Sequence, residues 1–316
     1  MLPRILRPLA AALLLTSPQS YAVVVAGGDG TQNLSAPTDD FGWANVGRVF
    51  DTQDGFFVSG VYLGDGWMLS AYHGVRNAGA TGFQFGSVFL NGGSYTVNAM
   101  TAVRLQNADT TLADLALFQL TSIPAGLPSL TLASANPTNG RALTMMGNGP
   151  DRNAAETHWN VNTMVNPWTW VETGGPGDLQ GYKWTPGAQS LRWGTNNITA
   201  FSGGSTTDVL NNTFGKTTIF KTNFNDSTDE AQAGGGDSGG GVFWKVGSNW
   251  VLGGIMVSTG IFSGQPASTS VFGDETYSAN VATYRSQIIS IIPEPSSALL
   301  VLAGAGLLAR RRRAQK

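Results

Sequence analysis

Gly234-Gly235-Gly236-Asp237-Ser238-Gly239-Gly240-Gly241 places one serine among six glycines, with an aspartate directly before it. Glycine loses too much conformational entropy for such a run to sit inside a helix or strand. The run suits a tight loop whose backbone N–H groups converge on one point. A serine oxygen among converging N–H donors is what acyl transfer needs, because the oxygen attacks a carbonyl and the donors hold the oxyanion that forms. A flexible glycine-rich turn with an incidental serine would show the same residues, so the rest of the chain must decide.

Two further segments do so. The chain has only two histidines, His73 and His158. His73 closes the apolar run Met68-Leu69-Ser70-Ala71-Tyr72-His73, and Asp114 opens the strand-like run Asp114-Leu115-Ala116-Leu117-Phe118-Gln119-Leu120. His158 lies among Glu156, Thr157 and Asn160 and reads as a surface residue. The order His, Asp, Ser, with Ser70-Ala71-Tyr72-His73, Asp114-Leu115-Ala116-Leu117 and Gly236-Asp237-Ser238-Gly239-Gly240, resembles the trypsin/chymotrypsin-like serine proteases. Gly253-Gly254-Ile255-Met256-Val257-Ser258-Thr259-Gly260 resembles the family strand that lines the substrate cleft, and residues 276–285 resemble the approach to its C-terminal helix. One departure is Tyr72, where the family has a small residue.

The resemblance implies an all-β fold of two packed six-stranded antiparallel β-barrels with a short C-terminal helix. It implies Ser238 as nucleophile, His73 as general base and Asp114 as the group that fixes the imidazole tautomer. It assigns the oxyanion hole to the N–H groups of Gly236 and Ser238, and the primary pocket to Gln232, Ser258 and Gly260. A neutral Gln232 at the pocket base speaks for an uncharged, medium or large substrate side chain. Asp237 corresponds to the aspartate that, in members activated by cleavage, pairs with a freed N-terminal amine; Val24-Val25-Ala26-Gly27-Gly28 partly matches the family's mature start.

Charged residues make up 12% of the 316-residue chain and there is no cysteine, which excludes disulfides and thiolate metal sites and suits an exported β-rich protein. Residues 1–22 read as a secretory leader: Arg4 and Arg7, an apolar stretch over residues 9–15, and the small-x-small site Ser20-Tyr21-Ala22. The apolar stretch is too short to span a bilayer. Residues 293–316 hold Pro293-Glu294-Pro295, an apolar span over residues 296–309 and Arg310-Arg311-Arg312-Arg313. This tail resembles the PEP-CTERM sorting signal of Gram-negative bacteria, which implies an exosortase-like processing enzyme, transient membrane association and a body in the cell envelope or at the extracellular surface. A plain membrane anchor is the alternative, and the arginines place the body outside in either case. Residues 1–22 hold two basic groups and residues 293–316 five basic and one acidic, which leaves 11 basic and 19 acidic groups in residues 23–292. That balance offers no basic patch for nucleic acid.

The body alternates short apolar runs with turn residues. Hairpins are expected at Gly64-Asp65-Gly66, Asn91-Gly92-Gly93 and Gly247-Ser248-Asn249, and a helix over residues 283–292. Composition sets a boundary within residues 122–139, giving an N-terminal segment and first barrel over 23–130 and a second barrel over 131–292. Asp114 and Ser238 are further apart than the family pattern leads one to expect. The surplus falls in residues 151–197, with five of nine tryptophans: Trp159, Trp168, Trp170, Trp184 and Trp193. These rings either pack the outside of the second barrel or form an aromatic surface for a partner or glycan. No cofactor is implied, and no His/Asp/Glu group has convincing metal spacing, although Asp226, Asp229 and Glu230 share one polar loop. Three readings stand: an active endopeptidase on protein or peptide substrates, an idle protease-like binding domain at the cell surface, and a structural matrix protein. The complete His, Asp and Ser set favours the first.

Overall fold

The computed structural model describes residues 23–39, 41–77 and 82–292, so the leader of residues 1–22 and the sorting tail of residues 293–316 lie outside the described residues. Among the described residues no helix is long and apolar enough to cross a membrane. Among the described residues the regular structure is antiparallel β-sheet with one α-helix, Val281–Ile291, as expected, and two short 3-10 turns.

The first sheet runs in the order Gly93–Tyr95, Val88–Leu90, Val46–Asp51, Phe56–Gly64, Trp67–Ser70, Leu112–Leu120, Val97–Gln106. The hairpin at Asp65 pairs Tyr62 with Met68, and the turn at Asn91 and Gly92 pairs Leu90 with Gly93. Strand Leu112–Leu120 is apolar on both faces because both are covered. Its Ala116 and Phe118 pack with Val49, Val58, Tyr62 and Met68, whereas Leu115 and Leu117 face Met146, Phe243, Leu252 and Ile255 of the second sheet. That alternation seals the two halves together.

The second sheet runs Arg192–Thr199, Ala142–Gly147, Gly241–Val246, Asn249–Gly260, Glu275–Asn280, Gly215–Asn223, with Asp208–Asn212 outside the last. Ile198 and Thr199 also pair with Thr222 and Lys221, which closes a ring of six strands and leaves Asp208–Asn212 as a seventh, appended one. The first sheet likewise counts seven strands, two of them only three residues long. The C-terminal helix buries Val281, Tyr284 and Ile288 in the core shared by both halves.

A further sheet was not foreseen. Pro150–Arg152, Leu179–Gln189, Thr157–Asn162 and Thr169–Thr173 pair with one another, and Thr269–Val271 joins Leu179–Gln189. Most of this five-stranded sheet is inserted between two neighbouring strands of the second barrel, which accounts for the surplus residues. Its tryptophans pack inward: Trp159 is buried, Trp168 stacks on Phe262 with ring centroids 5.9 Å apart, and Trp184 Nε1 donates to Ser270 Oγ at 3.0 Å. Trp193 belongs to the barrel strand Arg192–Thr199.

Candidate active site

His73 leaves the end of strand Trp67–Ser70 on a single 3-10 turn, Tyr72–Gly74. Two contacts fix it against Asp114, the third residue of strand Leu112–Leu120. The His73 N–H donates to Asp114 Oδ1 at 2.9 Å, and His73 Nδ1 lies 2.7 Å from Asp114 Oδ2. Asp114 is fully buried, and its own N–H donates to Thr217 Oγ1 of the second barrel at 2.9 Å. On the other side of the ring, His73 Nε2 lies 2.7 Å from Ser238 Oγ. The residues separated by 41 and 165 positions in sequence therefore meet at one imidazole. Burial alone would pull the His73 pKa down, but the charge of Asp114 and its hydrogen bond more than offset this, so the imidazole titrates above its ordinary value. Tyr72, the departure from the family pattern, packs in the first-barrel core under the guanidinium of Arg104.

The glycine run is a loop, as expected, and it is held from behind by Ser59 on strand Phe56–Gly64. The Ser59 N–H donates to the Ser238 carbonyl at 2.8 Å, and Ser59 Oγ donates to the Gly236 carbonyl at 2.9 Å while accepting from the Asn148 N–H at 2.8 Å. This proximity explains one glycine in particular: Gly239 has φ +89°, and a Cβ there would collide with the Ser59 carbonyl and Ser70 Oγ. Among the described residues the N–H groups of Gly236 and Ser238 donate to no protein acceptor, so both remain free for an incoming oxygen. Gly236 adopts φ +98°, open to glycine at little cost.

A cavity of about 360 Å³ adjoins Ser238, bounded by Ala233, Gly234, residues 256–259, Trp184 and Phe214. Its lining carries no acidic residue, and His73 is its only titratable side chain. Of the three positions assigned to the primary pocket, Ser258 lines this cavity. Gln232 is buried, and its carboxamide accepts from Thr276 Oγ1 at 3.1 Å and donates to the Glu275 carbonyl at 3.2 Å. Gly260 pairs with Glu275 at the end of its strand, and neither Gln232 nor Gly260 is among the lining residues.

Two wall residues were invisible in sequence. Trp184 comes from the inserted sheet and packs against Gly234 and Gly235. Phe214 sits in the turn between Asp208–Asn212 and Gly215–Asn223, its ring centroid 5.1 Å from that of His73. Arg104 of the first barrel donates to the Phe214 carbonyl and fixes this turn over the imidazole. Asn211, Asn212 and Gly215 do signal a turn, but no local pattern says which ring it covers.

Asp237 is fully buried. The Gly234 N–H donates to its Oδ2 at 2.8 Å, Oδ1 has no partner, and burial pushes its carboxyl up to about 8. Nearby, Val24–Val25 forms a buried strand paired with Ala231–Gln232. Among the described residues no group of three or more carboxylates or imidazoles is arranged to hold a metal. In the polar loop, Asp229 accepts from Asn33 and Glu230 from Asn225.

A family model described as a trypsin-like peptidase domain matches residues 54–253. Among solved structures, the chain is similar to the Rv3671c protease from M. tuberculosis. Its active form aligns at a TM-score of 0.47 and 11% identity over 91% of this chain and 94% of that one. Its inactive form aligns at a TM-score of 0.46 and 11% identity over 84% and 98%. No curated protein matches the sequence.

Proposed function

The chain belongs to the trypsin-like peptidase domain family, and from that premise we propose that it is an exported serine endopeptidase acting through an acyl-enzyme. The observation that carries this reading is the His73 imidazole, 2.7 Å from both Ser238 Oγ and Asp114 Oδ2. A serine hydroxyl is a weak nucleophile until a base removes its proton. Neutral His73 takes that proton at Nε2 as Ser238 Oγ attacks the scissile carbonyl. Asp114 accepts from Nδ1–H, which keeps the lone pair on Nε2 and stabilises the imidazolium that forms. The free N–H groups of Gly236 and Ser238 receive the oxyanion. Imidazolium then protonates the leaving amine, and water repeats the sequence on the ester to release Ser238.

The cavity beside Ser238 suits an uncharged side chain, since Ala233, Met256, Val257 and Trp184 supply apolar surface and no carboxylate faces a basic residue. The leader and tail read in residues 1–22 and 293–316 support export, with the tail serving as a transient address cut near Pro293-Glu294-Pro295. Two measurements test the proposal. A fluorophosphonate probe should label the protein at Ser238, and Ser238→Ala should abolish both labelling and peptide hydrolysis while the fold survives. Labelling at full strength in that variant would refute the assignment. Intact mass of the protein from its native cells should lack residues 310–313; a mature chain that retains them favours a plain anchor.

A further inference from the structure

Arg104 stands half-buried on strand Val97–Gln106, beside a register slip that carries Asp114. Arg104 pairs with Ala116 and Gln106 with Leu112, so Leu105 alone opposes Ala113, Asp114 and Leu115. A bulge of this kind disrupts the ladder and re-aims side chains, and here it presents the carboxylate that meets His73. Arg104 holds the bulge: its Nε donates to the Ala113 carbonyl at 2.9 Å, one residue before Asp114.

The same guanidinium makes two further contacts. Its carbon lies 3.8 Å from the ring centroid of Tyr72, one residue before His73. Its Nη2 donates to the Phe214 carbonyl in the second barrel, and the Phe214 ring lies beside the imidazole. The Phe214 N–H in turn donates to Asn212 Oδ1 at 2.8 Å. A Cβ on Gly215 would collide with Arg104 Nη2 and the Leu112 carbonyl, so this turn is seated directly on the arginine. Tyr72 thereby has a reason to differ from the small residue of the family pattern, because a small residue would leave the guanidinium without the face it lies on.

We infer that Arg104 is a positioning residue for the His73–Asp114 pair: one planar fork sets the bulge at Asp114, the residue before His73 and the ring beside the imidazole. Its effect on rate rests on the peptidase reading; its effect on the imidazole does not. A guanidinium presents its Nε and Nη2 donors at a fixed angle and keeps a face for stacking. A lysine ammonium carries the same charge on a flexible stem and cannot reproduce the three contacts at once. Arg104 is not among the residues that line the cavity at Ser238, so it acts through its neighbours.

Arg104→Lys in the full chain tests this, with two readouts, each scaled to the folded fraction from circular dichroism. The first is nitrogen NMR of the His73 imidazole, assigned with His158→Gln because the chain has only two histidines. Above its titration the parent should carry the proton on Nδ1, facing Asp114, and Arg104→Lys should mix in the tautomer with the proton on Nε2. The second is rate: peptide hydrolysis and fluorophosphonate labelling of Ser238 should each fall about 10²-fold in Arg104→Lys. Arg104→Met, which keeps an apolar stem beside Tyr72, replaces the lysine variant if that one does not fold. Imidazole shifts identical in parent and variant, or parental rates per folded molecule, would overturn the role of Arg104. A parent that neither cuts peptides nor takes the label would remove the peptidase reading, and the imidazole shifts alone would then decide on Arg104.

Discussion

His73, Asp114 and Ser238 spend their side-chain donors and acceptors on one another; Arg48, which pairs across the strand with Ser59, has its guanidinium between the Phe57 and Phe89 rings beside a cavity. The same strand, Phe56–Gly64, backs both groups. Polar groups that satisfy each other form a stiff device whose geometry is set before substrate arrives. A cation held between two aromatic faces is fixed by packing instead of by hydrogen bonds. One residue joins the two: Ser59 is bonded to the Ser238 loop and pairs across the strand with Arg48.

The sharpest way to break the closed group is at Asp114. Asp114→Asn would present an N–H where an acceptor is needed, turn the imidazole to the wrong tautomer and lower kcat by about 10⁴. Steady-state kinetics read this directly, and a variant within a few-fold of the parent would mean another acid orients His73. Asp237 offers the next largest effect, because its carboxyl is fully buried and its Oδ1 is unpartnered. Its carboxyl is raised from 3.8 to about 8 by burial, so the folded state keeps the proton that the unfolded chain releases. Stability attributable to this group is therefore greatest below about pH 4 and is lost as pH rises toward 8. Denaturant midpoints across that window should fall for a chain with no cation at Asp237. They should stay level for one processed so that an N-terminal ammonium near Val24-Val25 reaches it.

Ser59 itself joins the two groups. Ser59→Ala removes the donor to the Gly236 carbonyl and the acceptor of the Asn148 N–H, and should cost roughly 1–3 kcal/mol in stability. A loss of activity larger than the loss of stability would mean that the oxyanion donors shift with the loop. Smallest is the pH effect on the closed group. Because His73 must be neutral to act and its pKa is raised by Asp114, the acid limb of kcat/KM should fall above 6.5. A limb at or below that value would show that the Asp114 interaction does not govern the base.

The contrast also explains what could be read from the chain. The closed group sits in short runs, each with its own local signature: glycines around Ser238, an apolar run before His73, a strand after Asp114. Hairpins at Asp65, Asn91 and Gly247 were legible because turn residues act locally. The inserted sheet was not, because strands such as Thr157–Asn162 and Thr169–Thr173 are short, half exposed and mostly polar, and Leu179–Gln189 pairs with a segment as distant as Thr269–Val271. Nor could sequence say that the Gln232 carboxamide is taken up by Thr276 and Glu275. Arg48 gave no signal either, since the Phe57 and Phe89 rings that flank it come from two neighbouring strands.

His73 and Ser238 are supplied by different barrels and stand 165 residues apart. Contacts at such separation form late, because the intervening chain must close before they reward it. On the proposed function, a chain in which strand Gly241–Val246 has not yet docked beside Ala142–Gly147 carries its serine without its base. On that reading, synthesis order sets the timing: the ability to cut arrives only with the finished fold.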